Sequence, residues 1–594
     1  MTYRAPVDDI LFAMIHAGRM AEGIEAGIYA DLADGVAEAI VEEAGKFAGD
    51  RLAPLNWTGD RHGTPFRDGR ITMPPGWKDA YTDWAAAGWG SIVADPEFGG
   101  QGLPVLLNSA CTEIWNAANM GFSLNPLLTI GAIEALSAHG SDALKATYLP
   151  KMISGVWTGT MNLTEPHAGS DLSVLRTKAE RAGDGTYRIT GSKIFITYGE
   201  HDLTENIIHL VLARLPDAPE GTRGISLFLV PKVIVEADGS LGARNDVRCH
   251  SIEHKMGIHS SPTCTMVYGD QGGAVGYLIG EENRGLNCMF TMMNNARLGV
   301  GLQGVAIADR AYQRALAFAG ERRQGRAVGA PAGTASPIIE HPDVKRMLLD
   351  MRAKTAAARA ICFATAGALD RAERLTDKAA ARAAHEEAGL LTPVAKAFAT
   401  DVGIEVASTG VQIHGGMGFV EETGAAQHLR DARIAAIYEG TNGIQAIDLV
   451  TRKLPLNDGA TVAAAIRSYR EAADKAALIN DPGFARIGRI LRDAVDALDR
   501  CTVYMQTRLK SAPNEALAGA TPYLRLFGVA AGGAYLAEQA LAARVALAAG
   551  QDDPAHARRV LDARFFAENH ASTASGLEVA ILEGADEIVK EFVG

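Results

Sequence analysis

The stretch TYRITGSKIFITY (residues 186–198) decides the fold class of this 594-residue chain. It is rich in β-branched and aromatic residues, and two stretches of the same kind follow it, NIIHLVLARL (206–215) and GISLFLVPKV (224–233). Each is short and is bounded by Gly, Pro or Asp, which is typical of strands joined by turns. We therefore predict a β domain between about residues 156 and 275.

The sequence on the N-terminal side of this β domain has the period of helices. Apolar residues recur every three or four positions from residue 8 to about 155, for example at Ile24, Ile28, Leu32 and Val36. The segment DPEFGGQGLP (95–104) interrupts this pattern with two prolines and three glycines. It predicts an irregular loop, and such loops can line a site.

Helical periodicity returns after about residue 280 and continues to the end of the sequence. Breaks are predicted near residues 325–340, 374–378, 413–424, 434–441, 455–458, 480–483 and 511–522. The whole pattern predicts a multidomain α+β protein. Its parts are an N-terminal α-helical domain (1–157), a middle β domain (158–278), a C-terminal helical domain (279–455) and an alanine-rich helical extension (456–594).

The charge of the chain argues against a nucleic-acid partner. The net charge is −13, and the segment from residue 451 onward carries 17 Lys and Arg against 18 Asp and Glu, so that it offers no basic face. Hydrophobic residues make up 47% of the chain and charged residues 21%, values typical of a soluble globular protein.

Cysteines and apolar runs bear on the location of the protein. The six cysteines, at 111, 249, 264, 288, 362 and 501, are far apart and form no CxxC pair, so we predict no metal site and no disulfide framework. A reducing cytoplasm fits best. Asp8 and Asp9 argue against a secretory signal. The longest apolar run, 526–537, is shorter than the roughly 20 residues that cross a bilayer, and we predict no membrane span.

The segment 299–304, Gly-Val-Gly-Leu-Gln-Gly, matches the GxGxxG pattern of dinucleotide-binding folds. It follows the helical segment MFTMMNNARL and leads into further helix, whereas the dinucleotide fold places a strand before the motif. We therefore interpret these glycines as positions where two helices approach closely.

The segment MNLTEPHAGSDL (161–172) opens the β domain and combines hydroxyls at Thr164 and Ser170 with a turn rich in Pro and Gly. Turn N–H groups and hydroxyls can donate hydrogen bonds to a bound cofactor. By itself the segment is also consistent with an ordinary turn.

Together with GSKIFIT (191–197), this segment resembles the paired flavin-binding segments of the acyl-CoA dehydrogenase family. Further segments resemble that family in the same order, namely PEFGGQGLP (96–104), HKMGIHSSPTCTM (254–266), IGEENRGLNCMFTMMNNARLGVG (279–301), FAGERRQGR (318–326), HPDVKRMLLDMRA (341–353), QIHGGMGF (412–419) and IYEGTNGIQ (437–445). The resemblance spans roughly residues 40–455. The extension after it and the wording YEGTNGIQ resemble the extended bacterial branch of the family.

The resemblance implies an acyl-CoA dehydrogenase fold, with an N-terminal α-helical domain, a β-barrel-like middle domain, a C-terminal four-helix bundle and, here, an extra helical domain. It implies FAD as the cofactor and α,β-dehydrogenation of an acyl-CoA thioester as the reaction. That reaction needs a base for the Cα proton, a hydride acceptor facing Cβ and donors to the thioester oxygen. By resemblance these are Glu439, the flavin N5, and the Glu439 N–H with a flavin ribityl hydroxyl.

The sequence around Glu439 suits a base. The apolar run 434–437 and Tyr438 precede it, and such neighbours desolvate a carboxylate and raise its pKa. Without the resemblance, Glu439 is a solvated glutamate before a helix capped by Thr441, with Ile444, Ile447 and Val450 on the buried face. Some family members carry the base just before the family arginine, but the residues before Arg297 here are Asn294, Asn295 and Ala296.

The flavin contacts implied by the resemblance lie in several segments. They are Leu163, Thr164, Gly169, Ser170, Phe195, Thr197 and Thr441. Phe195 stands where many members have tryptophan, so ring stacking is kept and the indole N–H is lost. Arg322 and Gln324 resemble the pair that reaches the flavin pyrophosphate of a neighbouring subunit, and Gln412, Gly415 and Gly416 complete that pocket. Arginine suits a diphosphate through charge-assisted hydrogen bonds, although these arginines are also consistent with surface ions.

The resemblance further implies substrate contacts at Ser170, Arg297, Tyr438 and Gly440, although Arg297 is also consistent with a structural role. It implies an acyl-CoA substrate and an electron-transferring flavoprotein as electron acceptor. A flavin site drawn from two subunits implies a homodimer or a dimer of dimers. The branch resemblance indicates a small or thioether-containing acyl group, such as 3-methylthiopropanoyl-CoA.

Two other functions remain open at this point. An acyl-CoA oxidase shares the fold and the base but passes electrons to oxygen, so steady release of hydrogen peroxide would identify it. An adaptive-response flavoprotein of this fold binds DNA, a role that the near-neutral extension does not support.

Overall fold

The computed structural model describes residues 3–331 and 333–590, with Asn294 described by its backbone alone. The N-terminal part is helical, as predicted, and contains one short hairpin that the sequence pattern did not reveal. Its elements are α1 (Val7–His16), α2 (Met20–Glu25), α3 (Val36–Phe47), α4 (Ala53–His62), the hairpin β1 (Phe66–Arg67) and β2 (Arg70–Ile71), α5 (Trp77–Ala86), α6 (Val105–His139) and α7 (Asp142–Ile153). The helical spacing from Ile24 to Val36 is broken, because Gly27 and Gly35 adopt positive φ angles of 78° and 85°.

The predicted loop 95–104 is present and ends where α6 begins. Gly100 closes it tightly, because its N–H donates to Asp95 O (2.9 Å) and a Cβ at this position would collide with the backbone of Ala94. Helix α6 is two helices in line. Asn119 leaves helical geometry (φ −160°, ψ 91°), and its side-chain oxygen accepts from the N–H of Phe122 (3.0 Å).

The middle of the chain forms a β domain, and β5, β6 and β7 confirm the three predicted strands. Its strands are β3 (Trp157–Asn162), β4 (Lys178–Arg181), β5 (Tyr187–Thr197), β6 (Asn206–Arg214), β7 (Ile225–Pro231), β8 (Val233–Val235), β9 (Leu241–Arg244), β10 (Val247–Ile252), β11 (Thr263–Tyr268) and β12 (Ala274–Ile279).

The main sheet has the order β10-β11-β5-β12-β7-β6-β3. Strand β4 pairs with β5 in the antiparallel orientation. Lys178 of β4 also pairs with Arg214 of β6 in the parallel orientation. Strands β4, β5, β12, β7 and β6 therefore close a ring, which confirms the barrel-like prediction. Strand β5 is long enough to pair with β12 at residues 187–189 and with β11 at residues 191–197. The second of these parts carries the GSKIFIT segment.

Three long helices form the body of the C-terminal helical domain, and α11 packs on α8 and α10 as a shorter fourth helix. The elements are α8 (Gly285–Glu321), α9 (Pro342–Arg374), α10 (Lys378–His414), α11 (Ala425–Ala432) and α12 (Asn442–Asp448). The GxGxxG glycines lie inside α8, as predicted. A Cβ on Gly301 would lie 2.8 Å from Ala395 O, and one on Gly304 would lie 2.3 Å from Ala399 O, so these glycines let α8 and α10 approach closely.

The extension is helical and shares one continuous hydrophobic core with the rest of the helical chain. Its helices are α13 (Ala460–Ala477), α14 (Pro482–Ser511), α15 (Pro513–Ala518), α16 (Ala520–Ala548), α17 (Pro554–Asn569), α18 (Ala574–Leu582) and α19 (Ala585–Ile588). Helix α16 packs on α9, α10 and α12. Asp9 of α1 pairs with Arg558 (2.7 Å) and Arg559 (3.1 Å) of α17, so the extension also touches the first helix. The predicted domain limits at 157, 278 and 455 stay predictions.

None of the helices between residues 3 and 590, Ala332 aside, combines the length and the apolar character needed to span a membrane. All six cysteines are buried and unbridged in the same part of the chain.

Candidate functional site

Glu439 lies in a short loop between the 3₁₀ turn Arg433–Ala436 and α12. Its φ of 55° is in the left-handed region, and Gly440 follows with a φ of 79°. A non-glycine residue in this region costs free energy and is found where surrounding contacts enforce it. The backbone of the predicted base is therefore held in an unfavourable conformation.

Thr441 begins α12 as predicted, because its hydroxyl accepts from the N–H of Ile444 (3.2 Å). The predicted buried face of that helix is partly wrong. Val450 is buried but Ile447 is 38% exposed, and Gln445 lies in the interior instead. Helix α12 is only seven residues long and continues into the π-helical turn Leu449–Lys453, which changes the phase of the side chains.

The carboxyl of Glu439 is surrounded by protein atoms, although the residue as a whole is partly exposed to solvent. Burial raises its pKa to about 7, and the positive charges of Arg297 and Lys396 limit the rise. A carboxyl with this pKa is a base that is ionised to a large extent at neutral pH.

Arg297 and Tyr438 lie near Glu439, as predicted. The buried guanidinium of Arg297 pairs with Asp448 (3.4 Å), and its Nε has no hydrogen-bond partner among the described residues. Tyr438 donates its hydroxyl to the side-chain oxygen of Gln303 on α8, and burial raises its pKa. The structure thus brings together Glu439, Arg297, Tyr438 and Gly440 of the predicted site.

Two buried residues that the sequence analysis missed bind the backbone of this loop from the protein interior. Lys396 of α10 donates to Gly440 O (2.9 Å), and Gln445 Nε2 donates to Glu439 O (3.0 Å). A signal for Lys396 existed, because it is the one charged residue in the otherwise apolar stretch LLTPVAKAFAT (390–400). A lone lysine on a buried helix face indicates a specific partner.

The two predicted flavin segments of the β domain are joined by a buried ion pair that the sequence analysis also missed. Lys193 Nζ lies 2.8 Å from Glu165 and also donates to Leu163 O (2.9 Å). The N–H of Ile194 donates to Thr164 O (2.9 Å). Leu163 and Thr164 therefore lie beside the strand that carries Phe195 and Thr197.

The surface formed by these segments fits a flat ring with a polar edge. The ring of Phe195 is 57% exposed, and a positive φ of 60° turns it out of the strand pattern. A Cβ on Gly169 would meet open space, and Ser170 is exposed. An exposed aromatic ring near hydroxyls and an open glycine can stack on a heteroaromatic group and hydrogen-bond its edge. These residues fit the flavin that the resemblance implies.

Arg322, Gln324, Gln412, Gly415 and Gly416 form a second group, which we call the outer cluster. All five residues are exposed. The chain brings them to one place, because the His414 ring stacks on that of Phe318 (4.4 Å between centroids) and so joins the ends of α8 and α10. Arg322 Nη2 also donates to Gln324 Oε1 (3.4 Å). Within residues 3–331 and 333–590, no hydrogen bond or ion pair joins this cluster to the 163–197 segments.

A cavity of about 630 Å³, counted with its open mouth, lies between α6 and the part of α8 that carries Arg297. Its walls include Leu127, Ile130 and Glu134 of α6 and Asn295, Leu298 and Leu302 of α8. Asn295 donates to Glu134, and burial raises the pKa of that carboxyl to about 7. The lining of the cavity is mixed, because polar groups of Asn108, Thr112, Asn116, Glu134 and Asn295 lie among the apolar side chains.

Four family models match the chain in order and cover most of it. They are acyl-CoA dehydrogenase N-terminal domain (residues 36–156), middle domain (160–270) and C-terminal domain (283–454), and acetyl-CoA dehydrogenase C-terminal like (460–590).

Whole-chain similarity extends to named proteins. The chain is 48% identical to 3-methylmercaptopropionyl-CoA dehydrogenase of Ruegeria pomeroyi, over 99% of both chains. Among solved structures it is similar to Caenorhabditis elegans ACDH-11 in complex with C11-CoA (TM-score 0.77, 19% identity, 99% of this chain and 96% of that chain). It is also similar to an acyl-CoA dehydrogenase of Bacillus anthracis complexed with FAD (TM-score 0.75, 21% identity, 94% and 89%). At these identities the two structures support the fold alone.

Proposed function

The chain belongs to the acyl-CoA dehydrogenase family, whose members are FAD flavoproteins, and we propose on that premise that Glu439 removes the Cα proton of an acyl-CoA thioester. The setting of Glu439 carries the proposal. Burial raises the pKa of its carboxyl to about 7. A base with a pKa near the working pH combines a large ionised fraction with high basicity.

FAD, when bound, supplies the hydride acceptor for Cβ. The residues that would hold its ring are Leu163, Thr164, Gly169, Ser170, Phe195 and Thr197, with the Thr441 hydroxyl nearby as a further contact. The exposed Phe195 ring and the open space beside Gly169 support this assignment. Phe195 would stack on one face of the ring, and the hydroxyls would bond its edge.

On the substrate side, we assign contacts to Ser170, Arg297, Tyr438 and Gly440. The electrostatic effect that Arg297 and Glu439 have on each other supports a place for Arg297 beside the reacting atoms. Because the Tyr438 hydroxyl is engaged by Gln303, Tyr438 would offer its ring as an apolar wall. The Glu439 N–H would donate to the thioester oxygen and stabilise the charge that develops there.

The acyl group we propose is the 3-methylthiopropanoyl group, converted to methylthioacryloyl-CoA. Its support is the 48% identity, over the full chain, to a 3-methylmercaptopropionyl-CoA dehydrogenase.

We further propose that the protein works as a homodimer or a dimer of dimers in the cytoplasm and passes electrons to an electron-transferring flavoprotein. The outer cluster would reach the pyrophosphate of a neighbouring subunit's FAD. Near it are exposed apolar side chains, Val328 (98% exposed) and Phe419 (88%), which a partner subunit would cover. The cytoplasmic location rests on the six unbridged cysteines.

The test is to mix the FAD-loaded protein anaerobically with a panel of acyl-CoAs, 3-methylthiopropanoyl-CoA included, and to follow bleaching of the oxidised flavin. We expect the fastest bleaching with 3-methylthiopropanoyl-CoA, and no bleaching with any acyl-CoA would reject the function. Faster bleaching with butanoyl-CoA or longer chains would reject only the proposed acyl group. An oxidase is not favoured, because the named relatives are dehydrogenases. Repeating the assay in air should therefore release little hydrogen peroxide.

A further inference from the structure

The left-handed backbone at Glu439 needs contacts that hold it. Two carbonyls of the loop, those of Glu439 and Gly440, point into the protein, where buried side chains bind them. A carbonyl pulled inward fixes the rotation of the peptide planes on either side of it. The groups that bind these carbonyls are therefore in a position to set the orientation of the Glu439 side chain.

Lys396 is the strongest of these groups. It is fully buried on α10, and its ammonium donates to Gly440 O (2.9 Å) and to Asn442 Oδ1 (2.9 Å). A buried ammonium is costly unless it is paired and hydrogen-bonded. Its two partners here are neutral oxygens on either side of Thr441, so it joins the loop of the base to the start of α12.

Asn442 continues the network away from the loop. Its side-chain oxygen accepts from Lys396, and its Nδ2 donates to Asp401 Oδ1 (2.7 Å) and Thr400 Oγ1 (3.0 Å), both on α10. The amide thus has bonded partners on both of its ends, which fixes its orientation. Asn442 lies in the YEGTNGIQ wording that marks the extended branch.

The extension supports the same network. Arg525 of α16 donates to Glu405 (3.3 Å) on α10 and lies over the Phe398 ring (5.2 Å). Burial raises the pKa of Asp401, and its hydrogen bond from Asn442 and the positive charge of Arg525 limit that rise. An ionised Asp401 is the better acceptor for Asn442, so a residue of the extension favours the bonded arrangement behind the base.

We propose that Lys396 and Asn442 are positioning residues for Glu439: Lys396 fixes the backbone of its loop by binding the Gly440 carbonyl, and Asn442 holds the Lys396 ammonium in place for that contact. This inference rests on the proposed role of Glu439 as the base. Two residues that the reaction itself does not use, Lys396 in an apolar helix and Asn442 in the loop, are thereby assigned a function.

Lys396 also acts on the pKa of Glu439 through its charge, and the direction of this effect is definite. The Lys396 ammonium favours ionised Glu439 and lowers its pKa, so removal of that charge raises the pKa. Burial is the main cause that lowers the pKa of Lys396, to about 7, and the positive charge of Arg297 lowers it further. The negative charges of Glu439 and Asp401 act in the opposite direction. The other groups that face this pair are Tyr438 and, behind Asp401, Glu405 and Arg525.

The experiment compares Lys396→Met with Lys396→Gln in the FAD-loaded protein. In Lys396→Met, we expect anaerobic flavin reduction by 3-methylthiopropanoyl-CoA to slow about 100-fold, as misplacement of a catalytic group does. Its pH midpoint should move to higher pH, while FAD content and the Kd for product stay near those of the wild type. Lys396→Gln keeps a donor but not the charge, so it should regain part of the rate and keep the displaced midpoint.

Thr392→Val is the matched control, because Thr392 is a buried residue of α10 whose hydroxyl bonds only to Ala388 O (2.7 Å) among the described residues. It should leave both rate and midpoint unchanged. An unchanged rate and midpoint in Lys396→Met would overturn the proposal, and so would an equal slowing in Thr392→Val.

If Lys396→Met does not fold, Asn442→Ala decides. It should slow reduction, and combining it with Lys396→Gln should add little, because both act through one contact. Additive losses or a normal rate in Asn442→Ala would overturn the proposal. Failure of the base assignment is a separate result, since full activity of Glu439→Gln would remove the premise whatever Lys396 does.

Discussion

The base loop and the outer cluster are built in opposite ways. Around Glu439, the two loop carbonyls, the Tyr438 hydroxyl and the Arg297 guanidinium are bound within the chain, by Lys396, Gln445, Gln303 and Asp448. In the outer cluster, Arg322, Gln324, Gln412 and two glycines are exposed and bond mainly to each other or to solvent. The base loop is completed by residues of one chain, whereas the outer cluster is accessible to a partner subunit.

This difference corresponds to two separate tasks, proton removal by the base and binding of the cofactor diphosphate. A base must have a fixed position and a tuned pKa, and only a preorganised, desolvated setting provides both. A diphosphate needs positive charge and open backbone, which can be supplied across an interface. We therefore expect damage to the base loop to affect rate, and damage to the outer cluster to affect cofactor retention and assembly.

The largest expected effect is that of Glu439→Gln. Loss of a general base should slow flavin reduction by about 10² to 10⁴-fold. FAD content and binding of acyl-CoA should persist, because the amide keeps the volume of the carboxyl. Stopped-flow absorbance under nitrogen measures the rate. Glu422→Gln, at an exposed glutamate beside Arg61, is the control and should be normal; rapid reduction in Glu439→Gln would place the base elsewhere.

Arg322→Ala tests the other side of the comparison. Loss of a charge-assisted bond to a phosphate should weaken FAD binding by about 10- to 100-fold, with little change in the reduction rate of FAD-saturated enzyme. Fluorescence titration of apoenzyme with FAD measures the affinity. Arg346→Ala, which removes an exposed arginine at the start of α9, is the control. Unchanged affinity in Arg322→Ala would contradict a diphosphate role.

Mixing the two variants sharpens the distinction. If Arg322 serves the partner's flavin, a heterodimer of Glu439→Gln and Arg322→Ala chains has one intact site. At an FAD concentration that loads wild-type sites but leaves Arg322→Ala largely empty, refolding or coexpressing the two in equal amounts should therefore restore about a quarter of wild-type activity in a symmetric dimer. Native mass spectrometry, with a tag on one of the two chains, verifies the heterodimer. If each chain holds its own flavin with its own Arg322, the mixture should be no more active than the sum of its parts.

The pH dependence should be moderate and should belong to the base loop alone. Ionised Glu439 is the active form, so the rate of flavin reduction should rise with pH through about 7 and level off above it. The wild-type rate measured from pH 5.5 to 9 checks this. Arg322→Ala should have the same midpoint once it is saturated with FAD, and a midpoint near 4.5 would contradict burial of the carboxyl.

The smallest effect concerns Thr441, which caps α12 beside the base loop and is also a proposed flavin contact. Because its hydroxyl caps α12, Thr441→Ala should lower the stability of that helix by about 1 kcal/mol, and Thr441→Ser should not. Hydrogen exchange of α12 amides with FAD absent measures this locally. Equal protection in the two variants would mean that the cap contributes nothing.

How much the sequence could predict differs between the same two regions. Strands β5 to β7 and the motif that contains Glu439 could be recognised because their signals are local, namely short runs rich in β-branched residues between turn residues, and a run of nine residues. Lys396 is 44 positions from Gly440, and Gln303 is 135 from Tyr438, so their partners depend on how helices pack. The Ile447 error has a local cause, since the π-helical turn after α12 changes the phase of the pattern.

The contact between α1 and α17 has a consequence for the order in which the molecule can be completed. Arg558, the partner of Asp9, is added to the growing chain 549 residues after it. At translation rates of about 5 to 20 residues per second, that interval is about half a minute to two minutes. During this time α1 can pack on α2, α3, α6 and α9 but lacks its ion pairs with α17, so the formation of those ion pairs belongs to the last events of maturation.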